Sequence, residues 1–313
     1  MTQTLSNSDA FARYRPIIDD WEAFCDALKR PLPTCVWTNT LRTTPERLAE
    51  WMRAGGFDPE PLTWYPGAFK LAHDISPGNR LEYVAGLYHV QEEVSLVPPA
   101  LMHVTADERV LDLCAAPGNK TAQLAVAMQN RGTLVANDRN VYRLRALRRV
   151  IDRLGVANTS VTAYDGANYP RESGEFDKVL VDAPCSCEGT SRKNPEVVHA
   201  SSVDYFNRLS GTQRALLRQA VRRCRKGGLI VYSTCTYAPE ENELVVDDLL
   251  EEFGAHALRL LPARIDGLAS SPGITRWDGR QLSEELTRTM RLWPHQNDTG
   301  GFFVALLEKT AEV

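Results

Sequence analysis

Cys185 and Cys235 each close a short apolar run, Val179–Cys185 (VLVDAPC) and Leu229–Cys235 (LIVYSTC), and both follow a glycine-bearing loop, Asp112–Thr121 (DLCAAPGNKT). A cysteine attacks carbon only as its thiolate. A glycine loop between a strand and a helix lets backbone approach a ligand and turns free helix N–H groups toward it. If the two runs are parallel strands, both thiols reach one rim beside that loop.

Strands that could deliver them alternate with helices from residue 88 onward. Strands are predicted at Arg109–Cys114, Thr133–Asn137, Ser160–Tyr164, Asp177–Asp182, Leu229–Thr234 and Phe302–Leu307. Between them, Val141, Leu144, Leu147, Ile151 and Leu154 recur at helical spacing, as do Leu209, Leu216, Leu217, Ala220, Val221 and Cys224. Lys226-Gly227-Gly228 reads as the glycine end of that second helix. Parallel strands need helical crossovers, so the pattern predicts an α/β, doubly wound Rossmann-like sheet over residues 88–313. Residues 1–87 read as a separate small α+β module: an amphipathic helix Asp9–Lys29, an extended piece Thr34–Leu41, a helix opened by Thr44-Pro45-Glu46, and a Gly/Pro/Trp-rich stretch from Gly55 to Gly86.

Composition narrows the class. With 313 residues, 43% hydrophobic and 24% charged, the chain has globular composition. It shows neither a signal-peptide core nor an apolar run of membrane-spanning length, which predicts a cytoplasmic protein away from membranes. The seven cysteines are irregularly spaced without a CxxC pair, which favours reduced thiols over a disulfide framework or a metal site. Cys185-Ser-Cys187 lacks a second ligand pair, so no metal is expected. At net charge −4, a polyanionic partner must be held by a local basic patch. A monomer is expected.

Ligands of doubly wound sheets bind beyond the carboxyl ends of the strands, where strand order reverses. The candidate cofactor residues are Cys114, Ala115, Ala116, Pro117, Gly118, Asn119 and Lys120 of the loop, with Asp138, Asp165 and Asp182 at later strand ends. The loop is not GxGxxG, which disfavours a pyrophosphate cradle. Asp138 is placed to accept from ribose hydroxyls and Asp165 from an adenine amino group; each alone is equally well read as a helix cap. Carboxylates without a phosphate cradle suit an adenosyl group carrying no phosphate, such as S-adenosylmethionine. Cys114, Cys25 and Cys224 read as buried hydrophobes, and Cys187 as a small loop residue.

The motifs DLCAAPGNKT, VDAPCSCEGTSRKNPE and YSTCTYAPEENE, with LYHVQEEVSLVPP upstream and GFFVALLEK at the end, resemble the RsmB/NOL1/NOP2/Sun-type RNA cytosine-5 methyltransferases over nearly the whole chain. VWTNTLR, Gln91-Glu92-Glu93 and RLWPHQNDTGGFFVALL are most similar to the bacterial 16S ribosomal RNA, RsmF-like members. The resemblance implies an S-adenosylmethionine-dependent enzyme forming 5-methylcytosine in RNA, ribosomal RNA before transfer RNA, with an N-terminal RNA-binding module. It also implies roles: Cys235 as the nucleophile at cytosine carbon 6, Cys185 assisting breakdown of the adduct, and Asp182 contacting the base edge or the methionine moiety. Spacing alone does not rank the two cysteines.

A base attacked at carbon 6 must leave its stack, so basic residues should flank the cleft. Lys120, Arg192 and Lys193 are candidates for phosphate or cofactor contacts. The arginines of residues 139–153 read as a solvated helix face, and Trp37, Trp51, Trp64 and Tyr65 as core more than as base-stacking platforms. Two positions depart from the family pattern: Asn119 stands where a small residue is usual, and Thr236 where serine is commoner. The sequence also stops soon after Lys309, without the C-terminal RNA-binding extension of some ribosomal members. Competing readings are methylation of DNA or a small molecule, a non-catalytic ribosome-assembly factor, and nicotinamide-dependent oxidoreduction, the last disfavoured by the loop.

Overall fold

The computed structural model describes residues 10–200 and 202–313. The predicted helix beginning at Asp9 starts outside those residues, and within them it is broken. A 3-10 turn over Ala12–Ile17 contains Pro16, and helix α1 (Trp21–Lys29) begins afresh where the Asp20 carboxylate accepts from the Ala23 N–H. Proline supplies no N–H to continue a helix, and the aspartate cap offers a better start. The segment packs Phe11, Tyr14 and Phe24 against Tyr237 and Trp293, so it covers the loop that follows Cys235.

Strands β1 (Thr34–Thr38), β2 (Glu60–Pro61), β3 (Ala68–Leu71) and β4 (Tyr88–Val90) form an antiparallel sheet in the order β2-β3-β1-β4. Helix α2 (Pro45–Ala54) starts as expected, capped by Thr44 with Pro45 in its first turn. Trp37 and Trp64 are buried and donate their Nε1–H groups to Gln91 and Glu93. These aromatics are core. Trp51 remains 37% exposed, with Arg47 over its ring.

The second sheet is built from β5 (Arg109–Asp112), β6 (Thr133–Asn137), β7 (Thr159–Thr162), β8 (Phe176–Asp182), β9 (Cys224–Thr234), β10 (Leu258–Leu261), β11 (Ser271–Pro272), β14 (Met290–Leu292) and β15 (Phe302–Lys309), with a ribbon of β12 (Arg276–Trp277) and β13 (Arg280–Gln281) beside it. Its order is β11-β14-β15-β9-β8-β5-β6-β7, with β10 on β15; β5 to β9 run parallel and β15 antiparallel to β9. Strand order therefore reverses at β5, which has β6 on one side and β8 on the other.

Helices α3 (Asn119–Ala127), α4 (Val141–Leu154), α5 (Val203–Arg223) and α6 (Glu243–Phe253) cover both faces. Successive side chains of one strand feed opposite cores: Leu180 and Val231 pack with α3, whereas Val179, Val181 and Ile230 pack with α5 and α6. Burial on both sides explains why these strands read as continuous apolar runs.

The predicted glycine end of α5 is not a helix cap. The helix stops at Arg223, and β9 starts at Cys224 with Gly227 and Gly228 inside it. Pairing shifts between Phe176 and Lys178 of β8, and a Cβ on Gly228 would meet Asp177 O at 2.6 Å. The glycines serve a bulge where two backbones approach closely.

Candidate functional site

The β5–α3 loop is short and tightly seated. Gly118 adopts φ +107°, and a Cβ there would lie 3.0 Å from Leu147 Cα, so only glycine lets the loop rest on α4. Helix α3 starts at Asn119, inside the segment read as loop, which places Asn119 and Lys120 in its first turn. Asn119 Oδ1 bonds His89 Nε2 at 2.9 Å, docking the loop on β4. Burial, partly opposed by that bond, depresses His89 to about 4 and keeps the ring neutral.

Asp138, just past β6, accepts from the Ala116 and Asn140 N–H groups and pairs with Arg143 at 3.2 Å. Asn140, rather than Asp138, caps α4. Asp165 lies beyond the end of β7 and caps a 3-10 turn, accepting from Ala167 N and Asn168 Nδ2. For Asp165 the capping function is thus present, and the residue still lines the cavity. Asp112, which sequence reasoning passed over, accepts from Thr121 Oγ1, while its Oδ1 is left without a hydrogen-bond partner among the described residues. Burial raises Asp112 to about 7.

Strand register delivers the thiols. Asp182 and Ser233 are opposite one another on β8 and β9, and Cys185 and Cys235 follow three and two residues later, with their sulfurs 3.3 Å apart. Three backbone straps hold the two loops and a third segment: Gly189 N–H donates to Cys235 O (2.9 Å), Gly301 N–H to Gly189 O (2.8 Å), and Ser186 N–H to the Glu241 carboxylate (3.0 Å). Ser186 and Thr236 share a 2.6 Å hydroxyl bond. Thr236 also donates to Glu188, so the threonine that departs from the family pattern supplies the hydroxyl a serine would.

Asp182 is half-buried between Lys120 Nζ (2.7 Å) and Ser233 Oγ (2.8 Å). Lys120 also lies over the Phe302 ring. Cys187, expected as a filler, stands 3.9 Å from Cys185 by its sulfur. The three thiols perturb one another. Cys185 is pushed up, first by its hydrogen bonds with Cys187 and Cys235 and then by burial. Cys235 gains thiolate stabilisation from Cys185, but its bond with Cys187, burial and nearby negative charge outweigh that, and it too is raised. Cys187 is lowered, first through Cys185 and then through Cys235. Burial raises Cys114, which forms an apolar wall.

These residues surround a cavity of about 470 Å³ beyond the carboxyl ends of β5 and β8. Cys114, Ala116, Pro117, Lys120, Asp138, Asp165, Asp182, Cys185, Cys235 and Lys193 all line it, together with Cys187 and Arg143. Ala115 is buried behind the loop, donating its N–H to Asn137 O, and Gly118 and Asn119 shape the loop from outside the main cavity. Arg192 must be corrected. Its side chain is fully buried and bonds Arg30 O, Pro31 O, Thr299 O and Asp298, so it fastens the N-terminal segment to the loop before β15 and offers nothing to phosphate. Arg143 was missed because it sat within an arginine-rich helix face that reads as solvated. Its one distinguishing signal was its place one turn after Asp138.

A doubly wound sheet with a ligand cavity at its switch point, walled by this loop and strand-end carboxylates, defines a Rossmann-like methyltransferase. The chain belongs to the 16S rRNA methyltransferase RsmB/F family, whose pattern matches residues 99–308, and residues 10–93 match the N-terminal domain of 16S rRNA methyltransferase RsmF. S-adenosylmethionine is the cofactor of this fold. The chain is 36% identical to the tRNA (cytosine(49)-C(5))-methyltransferase of Pyrococcus abyssi over 97% of its own length and 96% of the relative's. It is 37% identical to the ribosomal RNA small subunit methyltransferase F of a Shewanella species, over 95% of this chain but only 60% of that one. The crystal structure of a methyltransferase homologue from Pyrococcus horikoshii superposes with a TM-score of 0.85 at 32% identity, covering 98% of this chain and 99% of the other. Among the described residues, no helix is long and apolar enough to cross a membrane.

Proposed function

We propose that the protein methylates carbon 5 of a cytosine in RNA, ribosomal RNA by preference, in the cytoplasm, through a covalent adduct between Cys235 and carbon 6 of the base. The observation that carries this reading is the pair of thiols 3.3 Å apart at the mouth of the switch-point cavity. One thiol at that place could be packing. Two, strapped by backbone hydrogen bonds from three segments, make an arrangement for adding to a ring and being released from it.

The cavity fits S-adenosylmethionine. Asp138 and Asp165 line it where ribose hydroxyls and an adenine amino group can be met, and Asp112, whose unpartnered Oδ1 suits the ammonium of the methionine moiety, lines a smaller recess that shares Cys114, Lys120 and Asp182 with the cavity. The Ala116–Pro117–Gly118 turn supplies the floor. When bound, the cofactor supplies an electrophilic sulfonium methyl group.

Addition of the Cys235 thiolate to carbon 6 forms the S–C6 bond and moves the 5,6 double-bond electrons toward the N3–O2 side, leaving carbon 5 enamine-like and nucleophilic. Lys120 and Ser233 fix Asp182, which meets the N3/N4 edge of the base; carrying the proton that Cys235 gives up, it donates to N3 and so stabilises the negative charge that develops there. After carbon 5 has gained its methyl group, loss of its proton re-forms the double bond and expels Cys235; Cys185 assists that step. Lys193, exposed at the rim, contacts phosphate.

The test is a pair of substitutions. Cys235→Ser abolishes incorporation of labelled methyl into RNA, and Cys185→Ser accumulates a protein–RNA adduct stable in denaturing gels. Wild-type rates in Cys235→Ser would refute the nucleophile, and labelling of DNA or metabolites with RNA left unlabelled would refute the acceptor. Transfer RNA is the second reading, favoured by 36% identity to the archaeal tRNA enzyme over 97% of this chain. Bisulfite sequencing of RNA from cells lacking the gene, beside their parent, separates the two: the single lost mark names the RNA.

A further inference from the structure

Two thiols suffice for adduct chemistry, and the site holds three. The sulfurs of Cys185, Cys187 and Cys235 all lie within 4.8 Å of one another, with separations of 3.3 Å (Cys185 to Cys235) and 3.9 Å (Cys185 to Cys187). Cys187 has φ +62°, a left-handed conformation that glycine takes freely and that strains a residue with a Cβ. That backbone turns its thiol back toward the other two.

Tetrahedral zinc with Zn–S bonds of about 2.3 Å sets neighbouring sulfurs about 3.8 Å apart. The Cys185–Cys235 and Cys185–Cys187 spacings match that within about half an ångström, and Cys187 and Cys235 lie within 4.8 Å of one another. All three sulfurs are only partly buried and border the cavity, so a cation held by them keeps a fourth position open to water or a ligand. Sequence spacing argues against such a site, because the third sulfur arrives from another strand and Cys185-Ser-Cys187 has no second ligand pair beside it in the chain.

We propose that Cys185, Cys187 and Cys235 form a three-thiolate site for a soft divalent cation, Zn²⁺, and that its occupancy reversibly masks Cys235. Binding releases the thiol protons and forms three Zn–S bonds without any redox change. The inhibitory consequence rests on the nucleophile assigned above; the binding site itself does not.

The experiment uses the full chain, freed of metal and kept reduced with a phosphine. Titration with Co²⁺ is expected to give thiolate-to-cobalt charge-transfer absorption saturating at one equivalent, bleached by one equivalent of Zn²⁺. Cys187→Ser and Cys187→Gly are expected to weaken zinc at least tenfold in competition with a chromophoric chelator, while S-adenosylhomocysteine still raises the melting temperature of both, showing that they fold. Zinc is expected to arrest methyl transfer by the wild type and a chelator to restore it, each variant needing at least tenfold more zinc relative to its own zinc-free rate. Absence of the charge-transfer band, or zinc affinity unchanged in both folded Cys187 variants, overturns the site. If cobalt binds with three-thiolate absorption but zinc leaves turnover untouched, the masking is overturned. No methyl transfer even without metal would overturn the proposed function instead.

Discussion

Gly189 is the residue through which the two thiol-bearing loops and the segment before β15 are tied together. A Cβ built there would lie 2.1 Å from Gly301 O and 2.9 Å from Cys235 O, whereas ordinary contact begins near 3.4 Å. Gly189→Ala must therefore push the straps apart by roughly an ångström, and one of the two carbonyls displaced belongs to the proposed nucleophile. Overpacking of this kind costs about 1–3 kcal/mol of stability, and an ångström of misplacement at reacting groups costs about 100-fold in rate. The expected outcome is a roughly 100-fold lower single-turnover rate of methyl transfer with a melting temperature lowered by only a few degrees. Affinity for S-adenosylhomocysteine should hold, because the loop of residues 114–120 is not strapped to Gly189. Gly211→Ala is the matched control: nothing lies within 4 Å of its Cβ, and in the middle of α5 alanine should stabilise by about 0.5–1 kcal/mol. A Gly189→Ala enzyme turning over within threefold of the wild type would refute the idea that these straps set the position of Cys235.

Arg192 and Lys193 are neighbours in sequence with opposite fates. Arg192→Ala should destabilise the protein by roughly 2–4 kcal/mol in denaturant unfolding, since it leaves several carbonyls unpaired, without changing the salt dependence of RNA binding. Lys193→Ala should leave stability alone and lower the slope of log affinity against log salt by about 1; the reverse pattern would return Arg192 to the RNA interface. Burial raises Glu241 from 4.5 to about 7, although Ser186 and Gln213 hydrogen bonds work against it. A carboxyl raised in the fold stabilises it fully below pH 4.5, and that stability declines as pH rises through about 7, a loss of roughly 3 kcal/mol at most. The Glu241→Gln protein should consequently show a flatter melting temperature between pH 5 and 8, and an unchanged slope would show that Glu241 is ionised throughout.

What could be read in the sequence followed from forces acting over a few residues. The buried strands announced themselves as apolar runs, Thr44-Pro45 marked a helix start, and the loop from Cys114 to Lys120 carried enough local chemistry to place the cavity. Where tertiary contacts decided, local reading failed. Gly227-Gly228 has the form of a helix cap, but the partner backbone of β8 turns the pair into a bulge. Arg192 looks like a phosphate ligand until three carbonyls and a carboxylate from both ends of the chain close around it. Asp20 and Pro16 split a helix whose hydrophobic pattern alone ran on. Cys187 reads from the sequence as a small loop residue; the role proposed for it depends on a left-handed φ and on a sulfur contributed by a different strand, neither of which leaves a trace in spacing. The straps around Gly189 belong to the same class. Backbone-to-backbone bonds between the loops after β8 and β9 and the entry to β15 carry no side-chain signature except the need for glycine at Gly189, where the three backbones meet, and at Gly301, where the Tyr237 ring lies against the chain; both needs become visible only in the fold. A site whose reactive groups are local but whose geometry is held by distant main chain can thus be named from sequence, while its tolerance to substitution can be worked out only from the fold.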